Sequence, residues 1–193
     1  MPLNAESKHG ITRQAGFLSR AECSDLIEVY ERYPGLRAPI LDPMFAGRVL
    51  WTSSIPSAET VIHALLCQTR ERARETIIAC SSNYASLVDE DPQIVRWDVG
   101  PGMGLHADNE FADGRPNQTP GRLYAAIIYL NDSYVGGALC FQHLNLRLRP
   151  ATGELVAFRG GRSHLHSVDP ILKGKRYTMP IWYGSIHPER SQG

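Results

Sequence analysis

The sequence predicts an α+β protein with a mainly β core and its helices confined to the first half. Three observations carry this. Apolar residues recur at helical spacing only between residues 18 and 81. After Asp91-Pro92 the chain breaks into short β-favouring runs separated by Gly and Pro. Those runs lack intervening helical patterns, which argues for a sandwich, barrel or jelly roll and against parallel βαβ units.

Each element has a local reason. Ser19 can cap a helix and Glu22, three residues on, can close a capping box. Cys23, Leu26, Ile27 and Tyr30 then form one apolar stripe, and Pro34-Gly35 stops the helix near Tyr33. Leu36 to Pro56 reads as irregular, broken by Pro39, Pro43, Gly47 and Pro56. A second helix is expected from about Ser57 to just before Ser81, with Val61, Leu65, Ile77 and Ile78 on its apolar face. Thr69 to Glu75 reads as its solvated side. Strands are expected at Gln93–Trp97, Leu123–Leu130, Ala138–Phe141, Glu154–Phe158, His164–Val168 and Tyr177–Tyr183.

A chain of 193 residues matches one domain at roughly 100–200 residues per domain. The expected division is a helical support and lid region over 1–90 and a β core over 91–185. Twenty basic residues balance twenty acidic ones. That argues against holding nucleic acid or an anionic membrane by bulk charge. No apolar run approaches the roughly 20 residues of a membrane helix, and Met1 to Gln14 lacks the apolar core of a secretory signal. Cys23, Cys67, Cys80 and Cys140 form no C-x-x-C pair and are expected to be free, buried thiols. The expectation is a soluble cytoplasmic protein, with no nucleic acid or membrane partner and its oligomeric state open.

The chemistry concentrates at His106-Ala107-Asp108, where residues i and i+2 of a strand point to the same side. An isolated H-x-D is common. His166, 58 residues after Asp108, supplies a second imidazole. Two imidazoles and a carboxylate make a facial triangle suited to Fe(II) with positions left open, although zinc accepts the same donors. Arg176 follows ten residues later and can pair bidentately with a carboxylate; a surface cation beside Lys173 and Lys175 is the plainer reading of Arg176 alone.

Taken in order, these segments resemble the prolyl 4-hydroxylase-like branch of the Fe(II)/2-oxoglutarate-dependent oxygenases, over roughly Ile94 to Tyr183. After His106-Ala107-Asp108 come Gly121-Arg122-Leu123-Tyr124 through Tyr129-Leu130-Asn131, Gly136-Gly137-Ala138-Leu139-Cys140-Phe141, and Pro150 to Phe158. His166-Ser167-Val168-Asp169-Pro170 and Gly174-Lys175-Arg176-Tyr177, closing on Trp182-Tyr183, complete the series. The resemblance implies a double-stranded β-helix (jelly roll) with N-terminal flanking helices. It implies iron ligands at His106, Asp108 and His166, with Arg176 and Tyr129 holding the distal carboxylate of 2-oxoglutarate. Cofactors would be Fe(II), 2-oxoglutarate and O2, with ascorbate as a candidate reductant; no catalytic residue beyond the metal centre is implied.

Two positions depart from the family pattern. Trp97 stands where relatives carry a Tyr, and Pro180 where some carry a hydroxyl. His164 is the rival metal ligand, expected on the same strand face as His166. His143 is expected at a strand end, and His9, His63 and His187 on the surface. The implied activity is hydroxylation of a C–H bond in an amino-acid or peptidyl, prolyl-like substrate, with release of succinate and CO2. The alternative is a tailoring oxygenase of a natural-product intermediate, performing hydroxylation, desaturation or cyclisation. A nucleic-acid demethylase, a zinc or manganese cupin enzyme and a non-catalytic jelly-roll module share parts of the pattern. Leu36–Pro56 and Asn109–Gly121 are the expected lids, since specificity resides in such loops.

Overall fold

The computed structural model describes residues 5–38, 45–81 and 87–185. In chain order these carry β1 (Ala5–Lys8), β2 (Ile11–Gln14), α1 (Arg20–Arg32), β3 (Val49–Trp51), α2 (Thr60–Cys80), β4 (Leu87–Asp89) and β5 (Gln93–Trp97). Then follow β6 (Met103–His106), β7 (Tyr124–Tyr129), β8 (Val135–Gly136), β9 (Leu139–Phe141), β10 (Leu146–Leu148), β11 (Leu155–Arg159), β12 (His166–Val168), β13 (Ile171–Lys173) and β14 (Arg176–Ser185). The large sheet runs β1-β2-β11-β7-β14-β5-β3, with β4 also on β14; a smaller sheet runs β10-β9-β12-β6, and β8 pairs with β13. The pairings within the sheets are antiparallel, and the two sheets face each other across a shared core, forming a jelly roll.

The period-2 alternation of β7 and β14 divides the molecule into layers. Tyr124, Ala126, Ile128 and Leu130 join Tyr177, Met179, Ile181 and Tyr183 in a core shared with α1 and α2. The intervening residues face the smaller sheet: Ala125 and Tyr129 pack with Leu139, Phe141 and Leu148. Pro180 is tolerated inside the long β14. The carbonyls of Tyr177 and Tyr183 bond toward β7 and that of Trp182 toward Glu90 on the opposite side. Pro180 alternates with Trp182, so its missing N–H falls between the stretch paired with β5 and the stretch paired with β4.

α1 begins as the sequence indicates. Ser19 Oγ accepts from the Glu22 N–H, and Glu22 accepts from the Ser19 N–H. Glu31 on this helix accepts hydrogen bonds from the Tyr177 hydroxyl and from Arg96, tying α1 to β14 and β5. Burial would raise its pKa, but those bonds and the charges of Arg96 and Arg37 prevail and hold it at about 2.

Several expectations are corrected. The first ninety residues are not only helical support, because β1, β2, β3 and β4 all enter the large sheet. Lys8-His9-Gly10-Ile11 turns a hairpin through positive φ at His9 and Gly10, a turn that local hydrophobicity does not announce. The buried stripe of α2 includes Ile62, Leu65, Leu66, Thr69, Ala73, Thr76 and Ile77, leaving Val61 exposed on the first turn. Only Cys23 is buried. Cys67 lies off that stripe, Cys80 ends the helix, and Cys140 is half-buried beside Asp169. The strand expected at His164–Val168 begins at His166, after a single 3-10 turn over Arg162–His164. No described helix is long and apolar enough to cross a membrane.

Candidate metal and keto-acid site

A cavity of about 370 Å3 opens between the two sheets, within the range of small-molecule sites. Its floor is the inward set of β14, residues Arg176, Thr178, Pro180 and Trp182, flanked by Gln93, Val95 and Trp97 of β5 and by Ala125 and Ile127 of β7. His106, Asp108 and His166 line it from the opposite sheet.

Strand register brings the imidazoles together. His106 and His166 are direct cross-strand partners in the β6–β12 pair, with ring centroids 4.2 Å apart. Asp108 lies two residues past His106, just beyond the end of β6. Its N–H donates to the Gly160 carbonyl at 2.8 Å, and its own carbonyl accepts from Thr119 Oγ1 and Asn117 Nδ2. Gly160 has to be glycine, since a Cβ there would lie 2.2 Å from the Arg122 carbonyl. One donor atom from each of His106, Asp108 and His166 lies within 4.8 Å of the others.

The hydrogen bonds around these side chains leave metal-binding atoms free. Nδ1 of His106 sits 2.9 Å from the Gly104 carbonyl, and Nδ1 of His166 sits 3.0 Å from the His164 carbonyl. A carbonyl can only accept, so each Nδ1 carries a proton, and in the neutral ring Nε2 is then the nitrogen that presents a lone pair. Burial and the adjacent His106 push the His166 pKa down, which favours the neutral ring that a metal requires. Asp108 Oδ1 accepts from the Trp182 indole N–H at 3.0 Å, while Oδ2 is buried without a partner.

Arg176 is 2% exposed and stands on the same cavity wall. Its Nη2 donates to the Tyr129 hydroxyl at 3.3 Å, and its Nε has no partner. Buried side-chain polar atoms without hydrogen bonds are few among the described residues, and two of the three, Asp108 Oδ2 and Arg176 Nε, belong to this cavity. Such atoms cost free energy unless something binds them. Tyr129 is fully buried and is not part of the cavity wall; it backs Arg176, whose guanidinium carbon lies 5.0 Å from its ring centre. Burial raises the Tyr129 and Tyr134 pKa values against the opposing charge of Arg176.

A family profile described as the 2OG-Fe(II) oxygenase superfamily matches residues 92–184. Human prolyl 3-hydroxylase 2 is 30% identical over 91 residues, covering 41% of this chain. Over residues 92–184, just under half of the chain, the sequence is similar to 2OG-Fe(II) oxygenases. The chain spans only 13% of the length of that human relative. Two solved structures share the oxygenase fold. The viral collagen prolyl hydroxylase vCPH from Paramecium Bursaria Chlorella virus-1, in complex with 2OG, has a TM-score of 0.66 at 21% identity and covers 92% of this chain and 97% of its own. A prolyl hydroxylase from Trichoplax adhaerens, in complex with a hypoxia inducible factor oxygen degradation domain peptide fragment, has a TM-score of 0.64 at 16% identity and covers 92% and 84%.

The similarity to 2OG-Fe(II) oxygenases points to Fe(II), 2-oxoglutarate and O2 as the groups to test against this cavity. The donors present fit such an ion: two imidazole nitrogens and one carboxylate oxygen lie within 4.8 Å of one another, and the free Oδ2 of Asp108 has no other partner. The buried guanidinium of Arg176, whose Nε has no partner, likewise fits a carboxylate of a keto acid.

The rival histidines separate cleanly. His164 occupies the 3-10 turn, so it does not share the His166 face. Its Nδ1 contacts Ser163 Oγ and its Nε2 the His9 carbonyl. His143 is exposed in a 3-10 turn, His9 is exposed, His63 is half-buried against the Pro56 carbonyl, and His187 lies outside the described residues. Sequence reasoning missed the Trp182–Asp108 hydrogen bond and the contributions of Thr178, Asn117 and Thr119. Alternation from Arg176 along one strand was the available signal, since it places Thr178, Pro180 and Trp182 on one face. The hydroxyl on this face belongs to Thr178, two residues from Arg176, and not to the position of Pro180.

Proposed function

We propose that the chain is an Fe(II)- and 2-oxoglutarate-dependent hydroxylase acting on a C–H bond of a prolyl-like residue in a peptide. His106, Asp108 and His166 hold the iron, Arg176 takes the distal carboxylate of the keto acid, and Tyr129 fixes Arg176. The observation that carries the reading is the grouping of three metal-donor atoms within 4.8 Å of one another in a cavity that also holds a buried arginine with an unpartnered Nε.

When bound, iron and keto acid turn one O2 into two products, one oxygen atom going to succinate as CO2 leaves and the other to the substrate C–H as a hydroxyl group. The chain's own residues bind, orient and exclude water. Asp108 and Arg176 balance the charges of a divalent ion and a dianion, so the loaded cavity carries no net buried charge. Phe45, Trp51 and Trp97 line the cavity with aromatic surface, and Asn117 and Thr119 line it from the 109–121 loop. The first set suits an apolar ring and the second a peptide backbone. Free thiols at Cys23, Cys67, Cys80 and Cys140 support a reducing, cytoplasmic setting.

The test is succinate release across proline-containing peptides, free amino acids and small natural-product intermediates. Peptides with proline are expected to stimulate turnover at least about 10-fold over the iron and keto-acid background, with a mass gain of one oxygen. Stimulation by free amino acids or intermediates alone contradicts the peptide assignment.

A further inference from the structure

Asp108 offers two carboxylate oxygens, and a divalent ion can take one or both. Taking both uses a coordination position that a chelating keto acid and O2 require. The indole N–H of Trp182 donates to Oδ1 at 3.0 Å, while Oδ2 stays buried and free. An indole has one donor, no acceptor and one direction of donation, so its placement decides which oxygen it occupies.

That placement is over-determined. Trp182 stands on β14 directly opposite Ala125 of β7, a small neighbour that leaves room for the indole. The guanidinium carbon of Arg122 lies 3.8 Å from the Trp182 ring centre. Arg122 is held by Glu90, with Nε at 2.8 Å from Oε1 and Nη2 at 2.6 Å from Oε2. The Glu90 N–H in turn donates to the Trp182 carbonyl at 2.9 Å. Glu90, Arg122 and Trp182 therefore form a closed ring of contacts, and its one outward contact into the triad is the bond to Asp108. The Arg122–Glu90 pair is only partly exposed, so solvent screens it less than a surface pair.

We propose that Trp182 is a positioning residue that restricts Asp108 to one-oxygen coordination, and that Arg122, anchored by Glu90, clamps the indole in place. This rests on the reading of Asp108 as a metal ligand. Outer partners of this kind typically govern roughly 10- to 100-fold in metal affinity.

The experiment titrates metal-free protein with Co(II), without O2 or substrate, and reads affinity and the visible ligand-field spectrum. W182F keeps an aromatic ring and removes only the donor. It is expected to weaken Co(II) binding roughly 10- to 100-fold and to alter the spectrum as the second oxygen becomes free to chelate, with the melting temperature of the metal-free protein little changed. R122M is expected to shift both readouts in the same direction by less. Wild-type affinity and spectrum in W182F, with binding lost in D108A, overturn the positioning role and leave the site reading intact. Undiminished binding in D108A overturns the site reading itself. Should W182F not fold, the indole N–H signal of wild-type Trp182, assigned by elimination with W51F and W97F, is followed by NMR. Slow exchange with solvent and a shift on adding Zn(II) are expected; fast exchange and no shift overturn the proposal.

Discussion

D108A is expected to lose stoichiometric metal binding and, with it, iron-dependent succinate formation. Asp108 is the only anionic donor of the proposed triad, and its free Oδ2 is buried without a partner. Removing it leaves two neutral imidazoles facing a divalent cation in a cavity of low dielectric, where uncompensated charge is strongly disfavoured. The affinity loss should exceed the roughly 10- to 100-fold cost of a lost outer partner. Folding should survive, because the Asp108 backbone is held independently by Gly160, Asn117 and Thr119. Metal content after dialysis, turnover and a thermal melt on one preparation separate these effects. A variant that retains one metal ion per chain and wild-type turnover contradicts the ligand assignment.

R176A is expected to raise the 2-oxoglutarate requirement while the metal remains bound. Arg176 is almost fully buried, and its nearest polar partner is a neutral hydroxyl. Truncating one side of a buried, hydrogen-bonded charge pair costs about 2–5 kcal/mol, which corresponds to roughly 30- to 4,000-fold in affinity. The discriminating readout is cosubstrate selectivity. The wild type should prefer 2-oxoglutarate over a 2-oxo acid that lacks the distal carboxylate, and R176A should lose most of that preference. An unchanged KM for 2-oxoglutarate, or an unchanged preference, removes Arg176 from the keto-acid site.

Much of the site was legible because strand chemistry is local. H-x-D spacing places His106 and Asp108 on one side with no knowledge of the fold. The first helix announced itself through the Ser19–Glu22 capping box, whose two hydrogen bonds are present. The pairing of His106 with His166 was not legible, because it depends on the register of β6 against β12 across some sixty residues. For the same reason the N-terminal hairpin went unread: β1 and β2 are short and polar, and β2 becomes a strand by pairing with β11. His164 shows the opposite failure. A β-favouring sequence extends the expected strand two residues too far, whereas Arg162–His164 fold into a 3-10 turn. Trp182 was visible as a residue without a role, since its partner Asp108 lies 74 residues away and no local pattern links them.

The most direct test is an anaerobic titration of metal-free protein with Fe(II) and 2-oxoglutarate, followed by visible absorption. One equivalent of iron should yield a charge-transfer band that requires both metal and keto acid, is lost in D108A, and in R176A needs far more keto acid to saturate. Absence of that band in the wild type at saturating iron and keto acid, or its full persistence in D108A, would show that His106, Asp108 and His166 do not hold the ion on which the proposed chemistry depends.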